Sequence, residues 1–426
     1  MRRNSSGPLH SQLEAAAEIW VQIQNDPVPA DRWLGRFFHH NRKKFGSRDR
    51  RFLSETVYSL FRHRLFLETW TKTLGLSEST TLVLFAAAAE GIISPQDFTD
   101  VCQMAEAGSI YASLKNRELP GSLKVTSEEE RLSLRYSFPL WLVRRWLKTF
   151  GPVETEALLA SFQERPPLVI RANPLKISRD KLLARFRHKG LNVLPTTRSS
   201  SGIFFAERIG VFDMEEFQKG FFEVQDEGSQ FLCELMEPKP EETIWDVCAG
   251  GGGKSLYLAA LMQNKGRIIA TDIRMHKLED LKKRAKRAGV YNIFPADLDR
   301  LNETRAIQKG IDKILVDAPC SGTGTFRRNP DAKWKVTEDR LQVNHRDQVG
   351  IMEKALPHLR KGGKLYYATC SIDPIENEEV VNEILQQHPE LSKVSYPVSR
   401  DGFFRLMPHK HGTDGFFLAV VQKSTA

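Results

Sequence analysis

The sequence has few cysteines and no long apolar segment, and these shortages exclude several classes of protein. Five cysteines occur among 426 residues, and none has the Cys-x-x-Cys spacing typical of zinc sites, so no metal site is predicted. Thiols this sparse indicate a reducing compartment. The first twenty residues lack the apolar core of a signal peptide. The longest apolar run, Leu82 to Ala89, is too short to span a bilayer. We therefore expect a cytoplasmic protein without a membrane partner.

Positive charge, by contrast, is in excess. The net charge is +9 at pH 7 and the isoelectric point is about 9.2. A basic chain favours an anionic partner, most often nucleic acid. Between Arg32 and Arg64, Lys and Arg outnumber Asp and Glu by ten to two. That run is either a solvated helix face or a surface that neutralises RNA phosphates, and charge alone leaves both interpretations open.

The periodicity of apolar residues predicts three domains along the chain. We also expect the protein to be a monomer. Residues 1–125 carry apolar residues at helical spacing and end in a polar linker with a Pro-Gly pair. Residues 131–235 show a leading helix and then mixed strand and helix signals, which predict a small α+β subdomain of ferredoxin-like type that faces RNA. Residues 236–426 alternate apolar strands with helices, which indicates a doubly wound, mostly parallel α/β sheet. An antiparallel hairpin is expected near the C-terminus.

The first strand-to-helix turn of the third domain is rich in glycine. It reads DVCAGGGGKS, from Asp246 to Ser255. Glycines let the backbone approach a ligand closely, and the free amides of the following helix suit an anionic group. A flexible loop is the alternative. The turn is not a nucleotide-binding P-loop, because the first glycine of that motif would fall at Val247 or Cys248.

Acidic residues recur at the ends of successive predicted strands. Asp272 follows the second strand of the domain, and Asp297 and Asp317 follow later apolar runs. Such positions accept hydrogen bonds from ribose hydroxyls in open α/β sheets. Any one of them alone could be a helix cap, but three after a glycine turn predict a nucleoside-containing cofactor. NAD and S-adenosylmethionine both qualify, although the glycines are not spaced GxGxxG and nearby thiols favour methyl transfer.

Two cysteines also end predicted strands. Cys320 follows ILVDAP and Cys370 follows YYAT, whereas Cys102 and Cys233 lie in apolar helical settings and are predicted to pack in cores. Each strand-end cysteine alone could be structural. Two of them at one edge of a sheet favour chemistry by a thiolate.

These residues carry a family resemblance. DAPCSGTGTFRRNPDAKW (Asp317 to Trp334) and YATCSIDPIENEEVV closely resemble the paired signatures of the Nop2/Sun family, whose members methylate carbon 5 of cytosine in RNA with S-adenosylmethionine. The resemblance extends from PLVIRANPLK to HGTDGFF. In addition, FGSRDRRFLSETVYSLFRHR looks like the NusB-like helical domain of bacterial members. The family resemblance as a whole implies a Rossmann-like class I methyltransferase sheet and a 16S ribosomal RNA substrate.

The resemblance also implies roles for single residues. Cys370 corresponds to the nucleophile that attacks carbon 6 of cytosine, and Cys320 to the cysteine that releases the product. Asp272 would hold the ribose, Asp297 the adenine side, and Asp317 the cofactor or the target base. One departure is Gly251, which stands where the family usually has proline and predicts a less rigid loop. The implied cofactor loop consists of Cys248, Ala249, Gly250, Gly251, Gly252, Gly253 and Lys254.

Three other functions are compatible with parts of the sequence. DNA cytosine methyltransferases attack with the cysteine of a Pro-Cys motif and assist with a Glu-Asn pair, and Glu376-Asn377 follows Cys320 here. That reading leaves Cys370 unexplained, so we predict that Glu376 and Asn377 lie on a helix surface. A transfer RNA methyltransferase is a second alternative. A non-catalytic RNA-binding assembly factor is the third, and failure to bind S-adenosylmethionine would favour it.

Overall fold

The computed structural model describes residues 8–298, 301, 305–395 and 401–425. The chain divides into two compact units. The first comprises Met1–Arg165 with Phe326–Val336, and the second comprises Pro166–Thr325 with Thr337–Ala426. The predicted domain ends at Met1 and Ala426 lie outside the described residues. Within the described part of the chain, no helix has the length and apolar character that crossing a membrane requires.

The first unit is built from helices around one apolar core. Local signals set several helix starts: the side chains of Ser94 and Ser127 accept hydrogen bonds from the backbone of the first turns of α5 and α7. The helices are α1 (Pro8–Ile23), α2 (Ala30–His40), α3 (Ser47–Thr73), α4 (Ser79–Ala89), α5 (Pro95–Cys102), α6 (Ala107–Asn116), α7 (Glu128–Tyr136), α8 (Leu140–Phe150) and α9 (Pro152–Ser161).

Helix α3 is kinked at His63, where φ is −117° and ψ is 16°. Beyond the kink, the Leu65 N–H donates to Ser137 Oγ (2.8 Å), outside the regular helical ladder. Two carbonyls before the kink accept hydrogen bonds from the last two residues of the signature Asp317 to Trp334. Trp334 Nε1 donates to Phe61 O, and Lys333 Nζ donates to Arg62 O, each at 2.7 Å. The kink thus presents backbone acceptors to which residues 326–336 bind.

The two units divide the chain at different places from the three predicted domains. The prediction put residues 131–165 in the α+β subdomain and residues 326–336 in the sheet domain, whereas both ranges lie in the first unit. The reason is apolar packing, because the ring of Phe326 lies 5.7–6.3 Å from those of Phe138, Trp146 and Phe162. Hydrophobic periodicity reports on neighbouring residues in the chain, so it does not detect contacts between residues this far apart in sequence.

The second unit begins with a four-stranded antiparallel sheet in the order β2-β3-β1-β4. Its helices pack on an apolar core that includes Ile170 and Phe186. This arrangement confirms the predicted ferredoxin-like subdomain. The elements are β1 (Leu168–Ala172), α10 (Arg179–His188), β2 (Val193–Pro195), β3 (Gly202–Phe205), α11 (Glu215–Gln218), β4 (Phe222–Val224) and α12 (Glu227–Leu235).

The larger sheet has the order β10-β12-β9-β8-β5-β6-β7, and β11 also pairs with β12. Strands β9, β8, β5, β6 and β7 are parallel, and apolar cores include residues from their buried faces. The predicted Rossmann-like sheet is confirmed. Its elements are β5 (Thr243–Asp246), α13 (Gly253–Leu261), β6 (Arg267–Ala270), α14 (Met275–Ala288), β7 (Ile293–Pro295), α15 (Arg305–Gln308), β8 (Ile311–Asp317), α16 (Glu338–Ala355), β9 (Leu359–Thr369), α17 (Glu378–Gln387), β10 (Leu391–Lys393), β11 (Phe403–Leu406), α18 (Pro408–His411) and β12 (Phe416–Lys423).

The predicted C-terminal hairpin is also present. β11 and β12 pair antiparallel, with Phe403 opposite Ala419 and Leu406 opposite Phe416. β12 pairs on its other side with β9, the strand that ends just before Cys370. The hairpin therefore supports the strand that carries one of the two candidate catalytic thiols.

We predict that Trp334→Phe destabilises the helical unit. The change keeps an aromatic ring but removes the indole N–H that donates to Phe61 O. Losing that bond should lower the free energy of unfolding by about 1–3 kcal/mol, measured by urea denaturation. Trp33→Phe is the control, because Trp33 stacks on Phe37 with ring centroids 5.4 Å apart and phenylalanine can keep that contact. An equal loss in both variants would contradict a specific role for the hydrogen bond.

Candidate active site

A cavity of about 720 Å³ opens at the carboxyl ends of β5, β6 and β8. Parallel strands place their carboxyl ends at one edge of a sheet, where ligands of this class of fold bind. The volume is in the range of cofactor sites. The lining residues are Trp245, Val247, Cys248, Ala249, Gly250, Gly251, Asp272, Ile273, Arg274, Leu298, Asp317, Pro319, Cys320, Ile351 and Lys354.

The glycine turn has a backbone conformation that side chains would prevent. Gly252 has φ +78°, and a Cβ added there would lie 2.5 Å from Leu281. The turn is closed by Asp272, whose Oδ2 accepts from the Gly250 N–H (2.9 Å) and whose Oδ1 accepts from the Arg274 N–H (2.8 Å). Burial raises the pKa of Asp272, but the bonds from Arg274 and Gly250 lower it overall, so this carboxylate is charged at neutral pH.

Two arginines hold the same turn from outside. Arg284 Nη1 donates to Gly251 O (2.7 Å) and Arg171 Nη1 donates to Gly253 O (2.8 Å). Glu223 on β4 orients Arg284 through a 3.0 Å ion pair. These bonds restrain the loop at the position where the family usually has proline. Sequence reasoning missed both arginines, since they come from distant elements.

A buried charge network lies under the turn. Lys254 Nζ is 2.5 Å from Asp317 Oδ2; burial alone would lower the pKa of Lys254, yet the Asp317 charge raises it overall. Asp246, at the end of β5, accepts from Ser255 Oγ (2.5 Å). Burial, with a contribution from the Asp317 charge, raises the pKa of Asp246 to about 7. Sequence reasoning did not select Asp246, although its place at a strand end was the available signal.

The structure brings together only part of the predicted cofactor set at the cavity. Asp272 and Asp317 line it, as do the first members of the glycine turn. Among the described residues, the lining does not include Lys254, Gly252 or Gly253, and Asp297 is exposed. Leu298 next to it lines the cavity instead. The roles of these residues stay predictions.

The two strand-end thiols lie side by side. Cys320 Sγ and Cys370 Sγ are 3.4 Å apart. The contact with Cys370, then burial and the charges on Cys370 and Glu376, raise the pKa of Cys320 well above its ordinary value. Cys320 is therefore a protonated thiol at neutral pH. Cys233 is fully buried in the core, as predicted, and burial raises its pKa to about 12.

The loop that carries Cys320 passes close to the end of β9. Gly324 N donates to Cys370 O (2.9 Å), and a Cβ on Gly324 would lie 2.7 Å from that oxygen. Thr323 Oγ1 lies 2.9 Å from Ser371 Oγ and accepts from the Ile372 N–H (3.0 Å). Only glycine at position 324 allows the backbone to come this close to the Cys370 carbonyl. This contact brings the segments that contain Cys320 and Cys370 together.

The prediction that Glu376 and Asn377 lie on a helix surface is wrong. Glu376 is 0% exposed and Asn377 is 3% exposed. Glu376 ends a single helical turn before α17, and its carboxylate accepts from Ser321, Asn344 and Gln348. Asn377 Nδ2 donates to Ser371 O (3.0 Å). The acidic composition of the segment predicted solvent exposure, whereas these two side chains belong to a buried hydrogen-bond network.

Comparisons with known proteins identify the family of this chain. A family model described as 16S rRNA methyltransferase RsmB/F matches residues 233–422, and a model of the ferredoxin-like domain of RsmF/B-like methyltransferases matches residues 138–211. The chain is 32% identical to the probable ribosomal RNA small subunit methyltransferase B of Bacillus subtilis over 74% of this chain and 72% of that protein.

Two further relatives extend the similarity. The probable ribosomal RNA small subunit methyltransferase B of Synechocystis is 29% identical over 88% of this chain and 92% of its own length. The crystal structure of a methyltransferase homolog protein from Pyrococcus horikoshii superposes with a TM-score of 0.62 at 28% identity, over 70% of this chain and 100% of that chain. The expected relationship is thus confirmed, and the chain belongs to the RsmB/F family of 16S rRNA methyltransferases.

Proposed function

We propose that this protein methylates carbon 5 of a cytosine in 16S ribosomal RNA, with S-adenosylmethionine as methyl donor and through a covalent bond between Cys370 and the base. The observation that carries the proposal is the 3.4 Å contact between Cys370 Sγ and Cys320 Sγ at the carboxyl edge of the sheet. One thiol in this position serves for attack and the second for release.

The cavity fits S-adenosylmethionine. When bound, this cofactor supplies an electrophilic methyl group on a sulfonium. The cofactor carries positive charge, and Asp272 and Asp317 line the cavity. Asp246 Oδ1 is buried and has no hydrogen-bond partner among the described residues, so it is an available acceptor beneath the glycine turn. Ile273, Leu298 and Ile351 are apolar residues of the same lining and would suit an adenine ring.

Cys370 is the group that attacks. Carbon 5 of cytosine is a poor nucleophile until a thiolate adds at carbon 6 and converts the ring to an enamine. Cys370 is assigned this addition because it stands in the Thr-Cys motif, whose counterpart in the resembled family is the nucleophile. The target base leaves its stack to reach Cys370, and Asp317, held by Lys254, is positioned near the same strand ends to orient the base or the cofactor.

Cys320 assists the release. After methyl transfer, the carbon 5 proton passes to a base and its bonding electrons form the carbon 5–carbon 6 double bond. The carbon 6–sulfur bond breaks and its electrons stay on the Cys370 sulfur. The thiol of Cys320, 3.4 Å away, can donate a hydrogen bond to that departing sulfur and so stabilise it against the reverse addition.

RNA is the substrate that the charge distribution favours. Most of the basic residues between Arg32 and Arg64 are exposed, whereas Arg62 is buried. Exposed cations of this kind neutralise phosphates without reading sequence. The relatives in Bacillus subtilis and Synechocystis are named for small-subunit ribosomal RNA, which favours 16S over transfer RNA. The exposed basic residues are Arg32, Arg36, Arg42, Lys43, Lys44, Arg48, Arg50 and Arg51.

Replacing each thiol should separate attack from release. With small-subunit ribosomal RNA transcribed in vitro and S-adenosylmethionine, Cys320→Ala should accumulate a covalent protein–RNA complex at least tenfold above the wild type, because the adduct forms but is not resolved. Cys370→Ala should form none. Denaturing gel electrophoresis measures the complex.

Cys102→Ala is the control for loss of a thiol, because Cys102 lies in the helical unit. It should behave as the wild type does. A complex that accumulates in Cys370→Ala and disappears in Cys320→Ala would reverse the two roles and support the DNA-type mechanism.

The substrate is tested in cells. Bisulfite sequencing of total RNA from a strain that lacks the gene should show one methylated cytosine lost from 16S ribosomal RNA. The wild-type gene should restore the site, and the Cys370→Ala gene should not. Loss of a site in transfer RNA, or of none, would contradict the proposed substrate.

A further inference from the structure

Glu376 is a buried carboxylate that the mechanism above leaves without a role. Its side chain is fully buried, and such a group is costly unless hydrogen bonds satisfy it. One oxygen, Oε1, accepts from the Ser321 N–H (2.8 Å), Asn344 Nδ2 (2.8 Å) and Gln348 Nε2 (3.4 Å). The other, Oε2, accepts from Ser321 Oγ. Both carboxylate oxygens therefore bind protein donors.

One of these donors, Ser321, is next to Cys320 in the chain, and another, Gln348, also binds the residue before Cys320. Ser321 follows Cys320, and its N–H and hydroxyl both bind Glu376. Pro319 precedes Cys320, and its carbonyl accepts from Gln348 Nε2 (2.9 Å), the same amide nitrogen that contacts Glu376. The backbone on both sides of Cys320 is thus tied to one carboxylate.

Cys370 is held by different contacts. Its carbonyl accepts from Gly324 N (2.9 Å), and the neighbouring Ser371 carbonyl accepts from Asn377 Nδ2 (3.0 Å). The bonds from β12 run along β9 as far as Thr369. Loss of the Glu376 carboxylate would therefore remove the two hydrogen bonds from Ser321, the residue next to Cys320, while the Asn377 bond and the β12 pairing that support Cys370 stay in place.

We propose that Glu376 is a positioning residue that holds the Cys320 thiol against Cys370 for the release step. The proposal rests on the division of labour between the two cysteines set out above. Glu376 does not line the cavity among the residues described, and its oxygens are engaged with Ser321, Asn344 and Gln348. It acts through Cys320 and not on the base itself.

The test is the covalent complex formed with in vitro transcribed small-subunit ribosomal RNA and S-adenosylmethionine. Glu376→Ala should accumulate at least tenfold more complex than the wild type, with the rate of complex formation within about threefold of the wild-type rate. Adding Glu376→Ala to Cys320→Ala should not raise the amount above that of Cys320→Ala alone, since both changes impair one step. Glu376→Gln keeps one acceptor oxygen, so its rate of RNA methylation should lie between those of Glu376→Ala and the wild type.

Glu379→Ala is the matched control, because Glu379 is exposed on the same acidic segment; its turnover should equal that of the wild type. A folded Glu376→Ala protein that turns over normally, or that forms no complex, overturns the proposal. If Glu376→Ala does not fold, the same covalent-complex assay with Ser321→Ala tests the proposal. This change removes only the hydroxyl donor; accumulated complex supports the proposal and its absence overturns it.

The outcome also separates this inference from the proposed function. If Cys320→Ala accumulates the complex and the Glu376 and Ser321 variants do not, only the role of Glu376 is wrong. If Cys320→Ala itself accumulates none, the division of labour between the cysteines fails, and the role of Glu376 fails with it.

Discussion

The site depends on the parallel pairing of β8 and β9. In this register Asp317 is opposite Ala368, so the two strands end together, and the residues that follow them meet at one edge of the sheet. Cys320 is three residues beyond one partner and Cys370 two beyond the other. Gly324 lets the Cys320 loop lie against the carbonyl of Cys370. The short distance between the sulfurs is a consequence of the sheet, and the chemistry we propose needs that distance.

Charge is arranged around this edge in two separate networks. One joins Lys254 and Asp317 and lies beside Asp246 beneath the glycine turn, where a cationic cofactor would add positive charge. The other centres on Glu376 and holds the loop of Cys320. Cys320, with a pKa raised well above its ordinary value, lies between a carboxylate and a second sulfur. This environment disfavours its thiolate and so keeps the sulfur protonated beside Cys370.

Much of this organisation is predictable from the sequence, because strand ends can be read from apolar runs. Cys320, Cys370, Asp272 and Asp317 were selected in that way, and they lie at one edge of the sheet. Glu376 was misjudged because an acidic segment with helical spacing usually faces solvent; only the tertiary contacts with Ser321 and Gln348 reveal its burial. The packing of residues 326–336 was hidden for a related reason, since their partners lie at the kink of α3, more than 260 residues earlier. Arg171 and Arg284 support the glycine turn from distant elements, so no local motif points to them.

The most direct measurement is the identity of the cysteine bonded to the base. Small-subunit ribosomal RNA that contains 5-fluorocytidine would trap the wild-type adduct, because fluorine on carbon 5 cannot leave as a proton does. Digestion and mass spectrometry would then find the modified nucleotide on one peptide. The account predicts the peptide that contains Cys370. A nucleotide bonded to Cys320 would contradict it.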